Sequence, residues 1–115
     1  MALSDLELQH CEKALVQFME RRRPPPQIRD QLDILYRISG HSIEIFEVRP
    51  FWRDQTKRVE SPVAKATFVR TKHHWKVFWM RQDLKWHRYE PKPEVEALET
   101  FLDVVDQDQF GCFFG

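Results

Sequence analysis

The residue pattern predicts an α+β domain: a helix, a five-stranded antiparallel meander sheet and a second helix, with both helices on one face of the sheet. Three observations carry this expectation. Apolar residues recur at helical spacing before Pro24, alternation of period two takes over from Leu32, and helical spacing returns after Pro93.

The first helix has a strong start signal. Ser4 with Glu7 three residues on forms a capping box, and Leu3 with Leu8 can close over it as a hydrophobic staple, so the helix is expected to begin at Asp5. Leu8, Cys11, Ala14, Leu15, Phe18 and Met19 make one apolar stripe. Arg21, Arg22 and Arg23 suit the negative end of the helix dipole, and Pro24, Pro25 and Pro26 stop the helix. The arginines read either as a solvated helix end or as a phosphate contact.

Leu32, Ile34, Tyr36 and Ile38 share one strand face, while Asp33 and Arg37 share the other. Ser39, Gly40 and His41 turn the chain into a return strand over residues 42–49. There Ile43 and Ile45 share one face and Phe46 and Val48 the other, which calls for a bulge near Ile45 and Phe46 or burial on both faces. Residues 50–62, bracketed by prolines, are expected to be the longest loop. Residues 63–70, 74–80 and 84–89 then read as three short strands, with turns at 71–73 and 81–83. The last helix is expected near Pro93, with Glu94 and Glu96 at its positive end and Val95, Leu98, Phe101, Leu102 and Val105 as its buried stripe. Phe110 to Gly115 (FGCFFG) is too apolar for a free tail and should fold back on the core.

With 115 residues and 42% hydrophobic content, the chain is expected to form a single domain over 1–115, as a monomer or small homo-oligomer. Nine Phe, four Trp and two Tyr strengthen a small core, since each such ring buries roughly 150 to 250 Å². Neither a leader nor a membrane span is evident, which gives the expectation of a cytoplasmic protein with no membrane partner. Cys11 and Cys112, the two cysteines, then read as small hydrophobes rather than a disulfide.

The net charge of zero conceals an abrupt reversal. Residues 65–88 carry seven cations and one anion, whereas residues 89–115 carry one cation and seven anions. Such a pattern either recruits a polyanion or is neutralised internally, helix against sheet. If Ala64, Ala66, Phe68, Trp75, Val77, Trp79, Leu84 and Trp86 face the helices, alternation leaves Lys65, Lys76, Phe78, Lys85, His87 and Tyr89 on the opposite face. Lysines interleaved with Phe78 and Tyr89 suit single-stranded nucleic acid, because cations neutralise phosphates and rings stack on unpaired bases. The plainer alternative is an amphipathic sheet whose lysines keep it soluble or pair with Glu96, Glu99 and Asp103. Trp52 and Arg53, in the expected loop, are further candidates for contacting nucleic acid or a protein partner.

Two known nucleic-acid modules fit poorly. A double-stranded RNA module would want cations on the second helix, which is acidic. An RNA-recognition sheet wants glycines beside its stacking aromatics, and residues 65–71 (KATFVRT) have none.

The stretches IEIFEVRPFW (43–52), PVAKATFVRT (62–71) and WKVFWMRQDLKWHRYEPKPEVEALETF (75–101) resemble a family of small bacterial proteins known only as a domain of unknown function. The capping segment and the RRRPPP junction extend the resemblance to nearly the whole chain. It implies a bacterial single-domain protein and transfers no activity, cofactor or catalytic residue.

An enzymatic alternative is a small metal-dependent nuclease or phosphoesterase built on Glu44, Glu47 and Asp33 with Arg49. Glu44 and Arg49 fall on opposite strand faces, and the plain alternative for Glu47 is a cross-strand ion pair with Arg37. His10, His41, His73, His74 and His87 lack zinc spacing with either cysteine, and no phosphate-cradling glycine loop exists in a chain with three glycines. No cofactor, metal site or catalytic residue is therefore assigned. The reading that results is a non-catalytic binding module, with a nuclease and a protein-interaction domain as alternatives.

Overall fold

The structure, a computed structural model, describes residues 3–115. Its order is α1 (Asp5–Arg22), β1 (Asp33–Ser39), β2 (Ser42–Phe51), β3 (Asp54–Val69), β4 (His74–Met80), β5 (Trp86–Arg88), β6 (Glu94–Val95) and α2 (Leu98–Gln107). The antiparallel sheet runs β1-β2-β3-β4-β5, and β6 also pairs with β4. The chain is α+β, as its pattern predicts.

The capping box of α1 is complete: the Ser4 hydroxyl accepts the Glu7 N–H, and the Glu7 carboxylate accepts the Ser4 N–H at 2.8 Å. Cys11, Ala14, Leu15 and Phe18 are its buried stripe. They meet Leu98, Phe101, Leu102 and Val105 of α2 in one core with Ile34, Ile43, Ile45, Ala64, Ala66, Phe68, Trp75 and Val77. Pairing Tyr36 with Ile45, Ile45 with Ala64 and Ala66 with Val77 puts all these sheet residues on one face, so both helices cover the same side. Gly40 holds the β1–β2 hairpin at a φ of 59°, a positive value that its lack of a Cβ permits.

The register slips between Ile45 and Phe46, where Val63 is the extra residue on β3. The extra residue lies on β3, so β2 itself alternates regularly, and its pattern reflects burial on both faces: Ile43 and Ile45 face the helices, while Phe46 is buried on the other side beneath Arg37. Beyond the bulge the structure departs from expectation. Residues 50–62 are not a loop: β2 continues to Phe51 and β3 starts at Asp54, making a two-stranded arm with Trp52 and Arg53 at its tip. The prolines tolerate this because Pro62 lies at the bulge and Pro50 beside the second register shift, where ladder bonds are interrupted. Asp54 fixes the tip by accepting the Thr56 N–H and hydroxyl at 3.1 and 2.6 Å. Nearby, Arg58 donates to the Asp30 carbonyl at 2.7 Å, and one Arg37 guanidinium nitrogen donates to both Glu60 carboxylate oxygens.

The second helix begins at Leu98 rather than near Pro93. Val95 is instead buried as a strand residue opposite Trp75, and Glu94 lies opposite Lys76. Helical turn formation from Glu94 would withdraw Val95 from this edge of the sheet. At the other end the tail does fold back: Asp108, in a left-handed conformation, accepts the N–H groups of Phe113, Phe114 and Gly115 at 3.0, 2.8 and 3.1 Å. Phe113 is thereby buried against Tyr89, with ring centroids 4.8 Å apart.

Candidate nucleic-acid interface

The face opposite the helices is uncovered. Register assigns Arg37 to it from β1, Glu44 and Phe46 from β2, Lys65 and Thr67 from β3, Lys76, Phe78 and Met80 from β4, and Trp86 and Arg88 from β5. Of the predicted site residues, Lys65, Lys76 and Phe78 come together here.

Lys85 and Tyr89 do not join them, and the reason is a register difference of one residue. Asp83 accepts the Lys85 N–H at 3.0 Å and Leu84 takes a φ of 61°, so the turn extends past the expected 81–83 and the strand starts only at Trp86. Trp86 then pairs with Met80 and Arg88 with Phe78, outward, while His87 pairs with Trp79 on the helix side. Leu84, expected inside, is 80% exposed, and Tyr89, expected as a stacking ring, is 2% exposed within the core. Burial, with Cys112 and Asp108 nearby, raises the Tyr89 hydroxyl above its ordinary pKa. Sequence reasoning therefore missed Trp86 and Arg88. The Asx-type turn chemistry of Gln82-Asp83-Leu84 is the signal that would have moved the strand start.

Charge on this face sorts into paired and unpaired groups. Arg37 takes both Glu60, at 2.9 Å, and Glu44, at 3.9 Å, and its guanidinium lies over the Phe46 ring at 4.6 Å. The expected Glu47 to Arg37 pair is thus replaced, because the register sets Glu44 rather than Glu47 across from Arg37. Glu94 lies 3.3 Å from His74. Lys65, Lys76 and Arg88 have no carboxylate oxygen within 4.0 Å among the described residues. Lys65 instead approaches the Trp86 ring, 5.7 Å from its centroid.

The acidic helix does not neutralise these lysines. Its Glu99 pairs with His10 at 2.9 Å, and its Asp106 reaches Arg21 and Arg22 at 3.7 and 3.5 Å, all on the helix side. Arg23 completes the disposition of the arginine triplet by forking onto Asp33, which lowers the Asp33 pKa. The triplet is thus matched by the chain's own carboxylates.

Trp52 and Arg53 sit elsewhere, stacked on each other at 4.6 Å with Trp52 75% exposed. Asp54 and Lys65 bound a stretch of β3 that spans roughly 36 Å at the usual strand rise, so the arm tip and the basic face are separate surfaces. The proposed nuclease set is not assembled either. Asp33 is committed to Arg23, Glu47 lies near Arg49 at 3.6 Å, and Glu44 and Glu47 project to opposite faces. Among the described residues no three His, Cys, Asp or Glu side chains are grouped to hold a metal ion.

Fold and face together define an α+β module with helices on one side of an antiparallel sheet and a basic, aromatic surface on the other. The chain matches the family described as Domain of unknown function (DUF3024) over residues 3–115, and it belongs to that family. No curated protein and no solved structure matches it.

Proposed function

We propose that this domain is a non-catalytic binding module that holds single-stranded nucleic acid on its uncovered sheet face. One observation carries the reading: Lys65, Lys76 and Arg88, around Phe78 and Trp86, have no carboxylate oxygen within 4.0 Å among the described residues, while the acidic helix is engaged with α1. Cations on such a face take up phosphates and release counterions, and half-exposed rings offer stacking platforms to unpaired bases. The side chains in these roles are Lys65 and Lys76 for phosphate and Phe78 and Trp86 for bases. No helix among the described residues is long and apolar enough to cross a membrane. The free thiols of Cys11 and Cys112 suit a reducing compartment, and we take the bacterial cytoplasm as the setting.

A labelled single-stranded oligonucleotide tests this. Binding is expected at low salt, with affinity falling steeply as salt rises and lost in the Lys65→Glu/Lys76→Glu double variant. An oligonucleotide that stays unbound at low salt ends the reading.

A protein-interaction role is favoured by one separate observation, the exposed Trp52 ring at the arm tip. Loss of a partner on Trp52→Ala, with oligonucleotide binding retained, would establish it as a second surface.

A further inference from the structure

The far edge of β4 is completed by two short strands set end to end, β5 against residues 78–80 and β6 against Trp75 and Lys76. The Val77 backbone bridges the two, donating to the Pro93 carbonyl and accepting from the Tyr89 N–H, each at 2.9 Å. The junction leaves a notch of about 350 Å³ lined by Lys72, Lys76, Phe78, Arg88, Pro93 and Glu94. Lys76 and Phe78 on β4 are matched across the notch by Glu94 on β6 and Arg88 on β5.

We propose that this notch receives the terminal phosphate of a nucleic-acid strand lying on the basic face, an inference that rests on the function proposed above. Three cations converge there, and none has a carboxylate oxygen within 4.0 Å among the described residues. A phosphodiester carries a single charge, whereas a phosphomonoester carries about 1.5 to 2 at neutral pH and offers three oxygens. The second is the better match for two ammonium groups and a guanidinium able to donate in a fork. Phe78 lines the same notch, in reach of the terminal base, and Pro93 with the turn before it, where Lys92 N–H meets the Tyr89 carbonyl at 3.1 Å, bounds the notch at β6. Terminal recognition needs a boundary of this kind. Glu94 is the carboxylate in the lining, and it opposes the anion.

Three oligothymidylates of equal length, one 5′-phosphorylated, one 3′-phosphorylated and one with both ends hydroxyl, test the assignment by fluorescence anisotropy at constant salt. One phosphorylated end is expected to bind about fivefold tighter than the hydroxyl form. Arg88→Ala should bring that ratio close to one, and Glu94→Gln should raise it. Equal, salt-sensitive binding of all three overturns the terminal site and leaves the sheet reading standing, whereas no binding by any of them overturns both. A phosphoserine peptide of matched charge that binds as tightly as the phosphorylated oligonucleotide would overturn the assignment to a nucleic-acid end.

Discussion

The Lys65 ammonium reaches past β4 to lie 5.7 Å from the Trp86 ring on β5. Between the two strands, Phe78 faces Lys65 and Met80 faces Trp86, so a cation and two rings line one uncovered patch spanning three strands. Contact with the cation also restrains the indole ring before any ligand arrives, lowering the ordering cost of stacking a base on it. Trp86→Ala is accordingly expected to weaken oligonucleotide binding about tenfold, the low end for loss of a stacked base, with little change in the salt slope. Anisotropy titrations at several salt concentrations separate the two terms.

Tyr89 gives the opposite outcome. With its ring packed on Phe113 and 2% of its surface exposed, Tyr89→Ala is expected to destabilise the fold by about 3 kcal/mol. Denaturant unfolding followed by tryptophan fluorescence measures this. Tyr89→Phe should leave oligonucleotide affinity unchanged, which distinguishes a core ring from a stacking one.

Stability should fall in acid through Glu7. Its carboxyl is held at about 2, first by the Arg70 side chain, at 3.0 and 3.1 Å, and then by the Ser4 N–H. A carboxyl whose pKa is depressed in the folded state contributes fully above its unfolded value. That contribution is lost as pH falls from about 4.5 to about 2. Glu7→Gln should flatten the stability profile across this window and lower stability at neutral pH, as seen by thermal unfolding at a series of pH values.

The C-terminal clasp depends on one side chain. Asp108→Ala removes the acceptor for three backbone N–H groups and forces alanine into a φ of 43°. A loss of about 1 to 3 kcal/mol is expected, with faster amide exchange at Phe113 and Phe114.

Much of the architecture was legible because it rests on local chemistry. The capping box of Ser4 and Glu7, the stripe from Cys11 to Phe18 and the inward set Ile34, Tyr36 and Ile38 are each written into residue spacing. Burial on both faces of β2 also showed, in the pairing of Ile43 and Ile45 on one side with Phe46 on the other. Three features escaped the sequence, two of them because nonlocal pairing decides them. Residues 50–62 look like a loop until β2 and β3 are laid side by side, and Val95 looks helical until Trp75 takes it as a partner. The third is the face of β5, reversed by a turn that ends later than expected at Lys85. That single displacement exchanged Lys85 and Tyr89 for Trp86 and Arg88 in the candidate site.

The arm gives β3 a run of exposed residues, 55–62, whose outer backbone edge has no β4 neighbour, since that pairing begins only at Ala64. Open edges template intermolecular sheets, and Lys57, Arg58, Glu60 and Pro62 are the residue types that discourage such growth. Colloidal behaviour should therefore hinge on this ribbon: replacing Lys57 and Pro62 with valine would leave the helices and core intact yet turn a dispersed protein into one that self-associates through cross-β pairing.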